Sequence, residues 1–160
     1  MDFRIGFGTD IHRLAGGYPL IIGNITIPYH LGCVGHSDGD ALIHAICDAL
    51  LGALNLGDIG RLFPDNDDSN KNRNSAFFLE NITGLIRQKG YEIGNVDTVV
   101  NLQKPKLSPF IPQITKRLSE IMNIEADAVS VKAKTSEKMG FVGEEKGIKA
   151  EAIVLVYRKK

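Results

Sequence analysis

Residues 38–55 read DGDALIHAICDALLGALN, and the distribution of side chains along this stretch decides the architecture. As a helix, Ala41, Leu42, Ile43, Ala45, Ile46, Cys47, Ala49, Leu50 and Leu51 would cover almost its whole circumference. The interruption is Asp40, His44 and Asp48, spaced i, i+4, i+8 and therefore stacked along one face. A solvated helix would carry a wider polar side. A helix apolar nearly all round lies inside the molecule, and its narrow polar stripe needs partners because unpaired buried charge is costly. Ser37 or Asp38 can cap it, with Ser37 to Asp40 at capping-box spacing.

Upstream of this helix, residues 3–9 read as a strand, and residues 20–22 and 25–29 as a hairpin around Gly23-Asn24. Downstream, a second helix spans 74–89 and stops at Gly90, and residues 91–102 read as a strand. Pro105 and Pro109 bracket a turn before a third helix at about 110–122, with strands at about 129–135 and 149–157. Strands and helices mix without strict βαβ alternation. That predicts an α+β two-layer sandwich, a mixed sheet with helices on one face. The final strand is apolar at both parities from Ala152 to Val156, which predicts cover on both faces, by helices or by a neighbouring subunit. No repeat, low-complexity tract or linker divides the 160 residues, so residues 1–160 are expected to form one domain.

Composition narrows the function. Hydrophobic residues make up 43% and charged residues 24%, as in an ordinary globular protein. Nineteen basic residues balance nineteen acidic ones, without the basic excess or stripe of a nucleic-acid binder. Near-neutral charge does little for solubility and is compatible with buried subunit contacts. Cys33 and Cys47 lack C-x-x-C spacing, which argues against a disulfide framework or a thiolate zinc site and for a reducing cytoplasm. The first residues, MDFRIGFGTDIHRL, lack the apolar core of a signal peptide and the Ser- and Arg-rich character of a transit peptide. No apolar run approaches the ~18 residues of a membrane span, so no membrane partner is expected.

Four segments could carry chemistry. In GTDIHRL, a spacing of two puts Asp10 and His12 on one face if they end the first strand, and His44 could join them from the helix. Two nitrogens and one oxygen suit zinc, and three protein ligands leave the open position of a catalytic site. The bland reading is a capping Asp and a hydrogen-bonded core His. In His36-Ser37-Asp38-Gly39-Asp40, a helix N-terminus with added donors attracts phosphate, although a plain capped helix would use the same residues. Complete helix between His36 and His44 would hold them about 12 Å apart, which assigns His36 to a phosphate rather than to the metal. The segment 57–68 is either a surface loop or a flap whose carboxylates and amides bind sugar hydroxyls. In residues 132–138, Thr135 could contact a phosphate and Glu137 could hold Mg²⁺ beside substrate phosphates, unless this is only a solvated strand end.

The order of these blocks is more specific than any one of them. D-x-H, HSDGD-x-x-x-H, GDIG-x-x-FPD, a K-P-K turn, K-T-x-E and GF together closely resemble the 2-C-methyl-D-erythritol 2,4-cyclodiphosphate synthase family, over essentially the whole chain. The resemblance implies a homotrimer with sheets facing the three-fold axis and active sites between subunits. It implies a cytidine diphosphate substrate, 4-diphosphocytidyl-2-C-methyl-D-erythritol 2-phosphate, whose 2-phosphate attacks the β-phosphate and expels CMP. Asp10, His12 and His44 would bind zinc, the first two also touching substrate. Glu137 would help place magnesium or manganese. His36 and Thr135 would be catalytic, steadying the transition state, with Ser37 beside the substrate. Asp58, Ile59 and Gly60 would hold the erythritol, and Phe63, Pro64, Asp65, Asn66 and Asp67 would form a flap. Leu102, Gln103, Lys104, Pro105, Lys106, Leu107 and Ser108 would line the cytidine and phosphate pocket with Lys134, Thr135, Ser136 and Glu137. Phe141 and Glu144 would complete the substrate contacts. One departure stands out: where the family often carries an arginine and, two positions later, a glutamate near the trimer axis, this chain has Glu144 and Lys146. The alternatives are a zinc-dependent phosphohydrolase, which would release inorganic phosphate, and a non-catalytic trimer braced by zinc.

Overall fold

In the computed structural model, which describes residues 2–64 and 66–159, the strands are β1 (Phe3–Gly16), β2 (Leu20–Ile22), β3 (Ile25–Ile27), β4 (Leu31–Val34), β5 (Tyr91–Asn101), β6 (Val129–Lys134) and β7 (Gly147–Arg158). The helices are α1 (Ala41–Ala53), α2 (Ile59–Leu62), α3 (Ser75–Gln88), α4 (Ile111–Met122) and α5 (Gly140–Gly143), with single 3-10 turns at Asp68–Asn70 and Ala126–Ala128. One mixed sheet has the order β4-β1-β7-β5-β6. Its pairs are antiparallel except β5 with β6, which run parallel. β2 and β3 form a separate hairpin, and its turn residues Gly23 and Asn24 both have positive φ, as a two-residue hairpin turn requires.

β1 runs well past its expected end at residue 9. It continues because β7 pairs with it from Phe3↔Tyr157 to Arg13↔Gly147, and β4, which the sequence pattern did not predict, pairs with its last residues from Arg13↔Val34 to Gly16↔Leu31. Asp10 and His12 therefore lie within the strand, not at its end. Gly6, Gly8, Asp10, His12 and Leu14 share the inner face by the alternation of side chains, and Phe3, Ile5, Phe7 and Ile11 share the outer one. On β7, Ile148, Ala150, Ala152, Val154 and Val156 are buried, whereas Ile153 and Tyr157 are exposed. One chain thus covers the inner face only, and of the two covers expected for the outer face of β7, helices do not supply it.

α1 begins at Ala41 rather than at residue 38. Gly39 has φ +72, outside the helical region, and Asp40 is the N-cap, accepting from the N–H of Ile43 at 3.1 Å. Ser37 and Asp38 are therefore not its cap. Asp40 also accepts from the N–H groups of Gly23 (3.0 Å) and Asn24 (2.6 Å), which locks the β2–β3 turn onto the helix end. Burial pushes this carboxyl up to about 6, although the backbone donors from Asn24, Ile43 and Gly23 oppose the shift. One turn beyond His44, Asp48 accepts from the N–H of Ile59 at 2.7 Å and anchors the start of α2. The polar stripe has its partners. α3 and α4 start and end within one residue of expectation. None of the helices among the described residues is long and apolar enough to cross a membrane.

α1 lies against β1 at main-chain distance. A Cβ at Gly6 would sit 1.8 Å from the carbonyl oxygen of Ala49, and one at Gly8 would sit 2.0 Å from that of Ala45. The facing atoms are backbone and cannot rotate aside. Gly8→Ala should therefore destabilise the protein by about 3 kcal/mol or more, at the upper end of overpacking costs. Urea denaturation should show a lower midpoint, and an unchanged midpoint would contradict this seating of the helix.

Candidate metal centre and active site

The close seating of α1 brings His44 over the inner face of β1, where Asp10 and His12 already point the same way. Asp10 Oδ2 lies 2.8 Å from His12 Nε2 and 3.2 Å from His44 Nδ1, and the two imidazole nitrogens are 3.2 Å apart. These atoms form a group that could hold a metal ion. His12 Nδ1 donates to the carbonyl oxygen of Val34 at 3.0 Å, so in the neutral ring Nε2 carries the lone pair. On the far side of His44, Nε2 faces the hydroxyls of Ser75 at 2.9 Å and Ser37 at 3.2 Å. A cation with tetrahedral bonds of about 2 Å holds its ligand atoms about 3.3 Å apart, so the donor set and its spacing fit a small divalent ion.

The electrostatics point the same way. Burial raises the Asp10 carboxyl, but the adjacent imidazoles of His12 and His44 more than reverse this and hold it at about 2. Burial also disfavours the charged form of His12, and the adjacent Asp10 overrides it, leaving the imidazole above its ordinary value of 6.5. Without a metal, a proton on His12 supplies the positive charge that this site favours beside Asp10.

The cluster opens into a cavity of about 220 Å³, lined also by His36, Ser37, Ile59, Gly60, Phe63, Asn70 and Phe78. His36 belongs to this cavity because residues 36–40 are not helical, so the 12 Å separation expected from a continuous helix does not apply. Its Nε2 is buried and has no hydrogen-bond partner among the described residues. Phe63 packs against Phe78 in a tilted arrangement with centroids 4.7 Å apart, closing one wall. Asp58 caps α2 through the N–H of Arg61 at 3.0 Å and is exposed. Of the expected flap, Phe63 lines the cavity but Pro64, Asn66 and Asp67 do not, and Asp67 instead caps the following 3-10 turn. Asp65 lies outside the described residues. Phe78 and Asn70 escaped the sequence reading, since an aromatic and an amide in this region look like ordinary core and loop.

Leu102, Gln103, Pro105, Lys106, Leu107, Ser108, Lys134 and Thr135 line a second cavity of about 140 Å³ together with Ala133. Lys104 turns away and pairs with Glu145 at 3.5 Å. Ser136 donates to the carbonyl oxygen of Met139 at 2.7 Å, and Glu137 is exposed and outside the metal-binding cluster. Phe141 and Glu144 line neither cavity, and Glu144 pairs with Lys146. The register Asp10↔Ala150, Ala150↔Val100 and Val100↔Ala133 puts β7 and β5 between the two cavities. Three strand spacings amount to about 14 Å.

The model of the YgbB family matches residues 3–157. The chain belongs to the YgbB family. A relative in Bacillus cereus (strain B4264), a 2-C-methyl-D-erythritol 2,4-cyclodiphosphate synthase, is 50% identical over 157 residues, 98% of this chain and 99% of its own. Among solved structures, Plasmodium falciparum IspF in complex with CDP has a TM-score of 0.88 at 41% identity, covering 99% of this chain and 98% of that one. The bifunctional IspDF of Campylobacter jejuni reaches 0.95 at 35% identity and covers 99% of this chain, but this chain spans only 43% of that longer protein. The YgbB fold is thus shared along nearly the full length.

Below the raised pKa of His12, a metal entering this site must displace a proton from its imidazole. The folded pKa of His12 is raised, so metal affinity should be full well above pH 6.5 and should fall below a break lying above that value. Below the break the loss should be about tenfold per pH unit or steeper. Asp10, held at about 2, does not compete in this range. Chelator competition between pH 8.5 and 5.5 reads the profile, and a flat one would mean that His12 is not a ligand.

Proposed function

We propose that this chain converts 4-diphosphocytidyl-2-C-methyl-D-erythritol 2-phosphate into 2-C-methyl-D-erythritol 2,4-cyclodiphosphate with release of CMP, a step in non-mevalonate isoprenoid synthesis. One observation carries the reading: the Asp10, His12 and His44 cluster opens into a cavity walled by His36 and Ser37, and the buried Nε2 of His36 has no partner among the described residues.

The substrate brings its own nucleophile. An oxygen of the 2-phosphate forms a bond to the β-phosphorus, the bond from that phosphorus to the bridging oxygen breaks, and the electron pair leaves with CMP. The chain therefore needs no nucleophilic Ser or Cys, and both of its cysteines are buried. Its work is to hold two phosphates in line, which is worth about 7 kcal/mol in a favourable case. His36 and Ser37 donate to phosphate oxygens from the cavity wall. Asp58, Ile59 and Gly60 orient the erythritol, and Asp48 fixes that turn to the helix carrying His44. Lys134 and Thr135 meet the cytidine-bearing half in the second cavity. Zinc held by Asp10, His12 and His44, and magnesium or manganese at Glu137, would supply positive charge to the phosphate oxygens.

A single ligand reaching both cavities of one chain would have to cross two strands. A homotrimer, its sheets facing the three-fold axis, supplies a second cavity from a neighbouring subunit instead. Support comes from the open outer face, where Phe3, Ile5, Phe7 and Ile11 of β1 and Ile153 and Tyr157 of β7 are 44–63% exposed. Six such side chains on one sheet face exceed what a monomer usually leaves in water. Glu144 and Lys146 pair with each other, and no isoprenoid diphosphate ligand is proposed.

Incubation with the diphosphocytidyl substrate, zinc and magnesium should yield CMP and a cyclic diphosphate by phosphorus NMR. CMP with an open-chain product, or inorganic phosphate, would favour hydrolysis, and no turnover by metal-loaded protein would sink the reading. His44→Ala should keep the fold, lose zinc and lose roughly 10³-fold or more in turnover. Phe7→Glu should yield a smaller species in analytical ultracentrifugation and cut turnover by about 100-fold or more, since misplacement of about 1 Å can cost that much. A trimer that persists would remove the outer face from the interface.

A further inference from the structure

Ser75, the first residue of α3, is fully buried and has no part in the reaction derived above. Its surroundings determine where every proton on it goes. Its N–H donates to Asp38 Oδ2 at 2.8 Å, and its hydroxyl hydrogen-bonds to Asp38 Oδ1. Asp38 Oδ1 also accepts from the N–H of Asp40 at 3.2 Å. An ionised carboxylate is acceptor-only, so the proton between Ser75 Oγ and Asp38 belongs to the serine. With that proton committed, Ser75 Oγ can only accept from His44 Nε2, 2.9 Å away. The imidazole proton must then sit on Nε2, and Nδ1 presents its lone pair to the centre where Asp10 Oδ2 and His12 Nε2 converge.

The chain segments that hold this relay are themselves joined. Asp38 N–H donates to the carbonyl oxygen of Arg73 at 3.2 Å, and Asn72 N–H donates to that of His36 at 2.8 Å. The approach to α1 and the approach to α3 therefore form one unit that holds Ser75 beside His44. Ser37 Oγ, 3.2 Å from the same Nε2, is the longer of the two contacts and lies on the cavity wall, with no carboxylate among the described residues claiming its proton.

We propose that Ser75, held by Asp38, is the positioning residue that makes His44 a metal ligand through Nδ1, and that it thereby frees the Ser37 hydroxyl for the ligand in the cavity. The inference rests on the reading of Asp10, His12 and His44 as a metal centre. A carboxylate behind a hydroxyl behind an imidazole is an outer-shell arrangement that fixes ring orientation and raises ligand basicity, and losing such a partner typically weakens metal binding about 10–100-fold.

The test measures zinc affinity by chelator competition at pH 8 for the parent protein and for Ser75→Ala and Ser37→Ala. Ser75→Ala should bind zinc about 10–100-fold more weakly while its metal-free far-UV spectrum stays unchanged, and Ser37→Ala should stay within about threefold of the parent. Equal affinity in Ser75→Ala, or an equal loss in both variants, overturns the assignment. If Ser75→Ala does not fold, nitrogen NMR of the zinc-loaded parent decides instead. His44 should then carry a slowly exchanging proton on Nε2, and a proton on Nδ1, or a rapidly exchanging one on Nε2, overturns the assignment. A parent protein that binds no zinc removes the metal centre itself, an outcome distinct from a parent that binds and a variant that binds equally well.

Discussion

The distance between α1 and β1 is the constraint on which the rest of the molecule depends. Two glycines on the strand face a row of alanines on the helix, and the result is main chain against main chain. Helices normally stand off a sheet by the thickness of their side chains, which is why interiors pack at roughly constant spacing. Here the separation is smaller at Gly6 and Gly8, and the next inward residues along β1 are Asp10 and His12. The side chain of His44 has only to cover the remaining gap. Steric permission at two positions with no chemistry sets the reach of one position that has it.

The acidic residues around this helix show how burial and function share one set of bonds. Asp40 accepts three backbone N–H groups, and Asp48 accepts one. A buried carboxylate left without partners costs several kcal/mol, so the segments that supply those donors are held as firmly as any core residue. The same helix therefore fixes the β2–β3 turn at its start, the metal-binding cluster one turn later, and the α2 segment one turn after that. The cavity inherits its shape from the need to satisfy charge inside the protein.

Much of this was legible in the residues, and the failures have physical causes. The buried helix, its polar stripe and the extents of α3 and α4 follow from periodicity and stop signals, which are local. The grouping of Asp10, His12 and His44 was legible because a spacing of two puts the first pair on one face of a strand and His44 lies in the polar stripe of an otherwise apolar helix. β1 was read too short because Asp10 and His12 interrupt the apolar pattern in the middle of the strand, where function overrides propensity. β4 was missed because four residues, one of them glycine, carry no periodicity, and only pairing with β1 makes them a strand. The start of α1 was misplaced because several residues could cap it, and Gly39 and the hairpin turn made the choice through a tertiary contact. Ser75 could not be singled out at all, since nothing local separates it from an ordinary helix-start serine. Its meaning comes from Asp38, 37 residues away.

The alternation along β1 also ties two tasks to one reading frame. Inward-facing residues carry the glycines and the ligands, while outward-facing ones carry Phe3, Ile5, Phe7 and Ile11. Substitutions can tune either surface separately. Loss of a single codon between Phe7 and Asp10 cannot, because it inverts one part of the strand against the other, so that either the aromatic side chains turn toward the helix or the carboxylate turns outward. Loss of two codons restores the parity but slides the glycines off the alanines of α1. The length of this strand is therefore closed to gradual change, and variation is confined to what each fixed position carries.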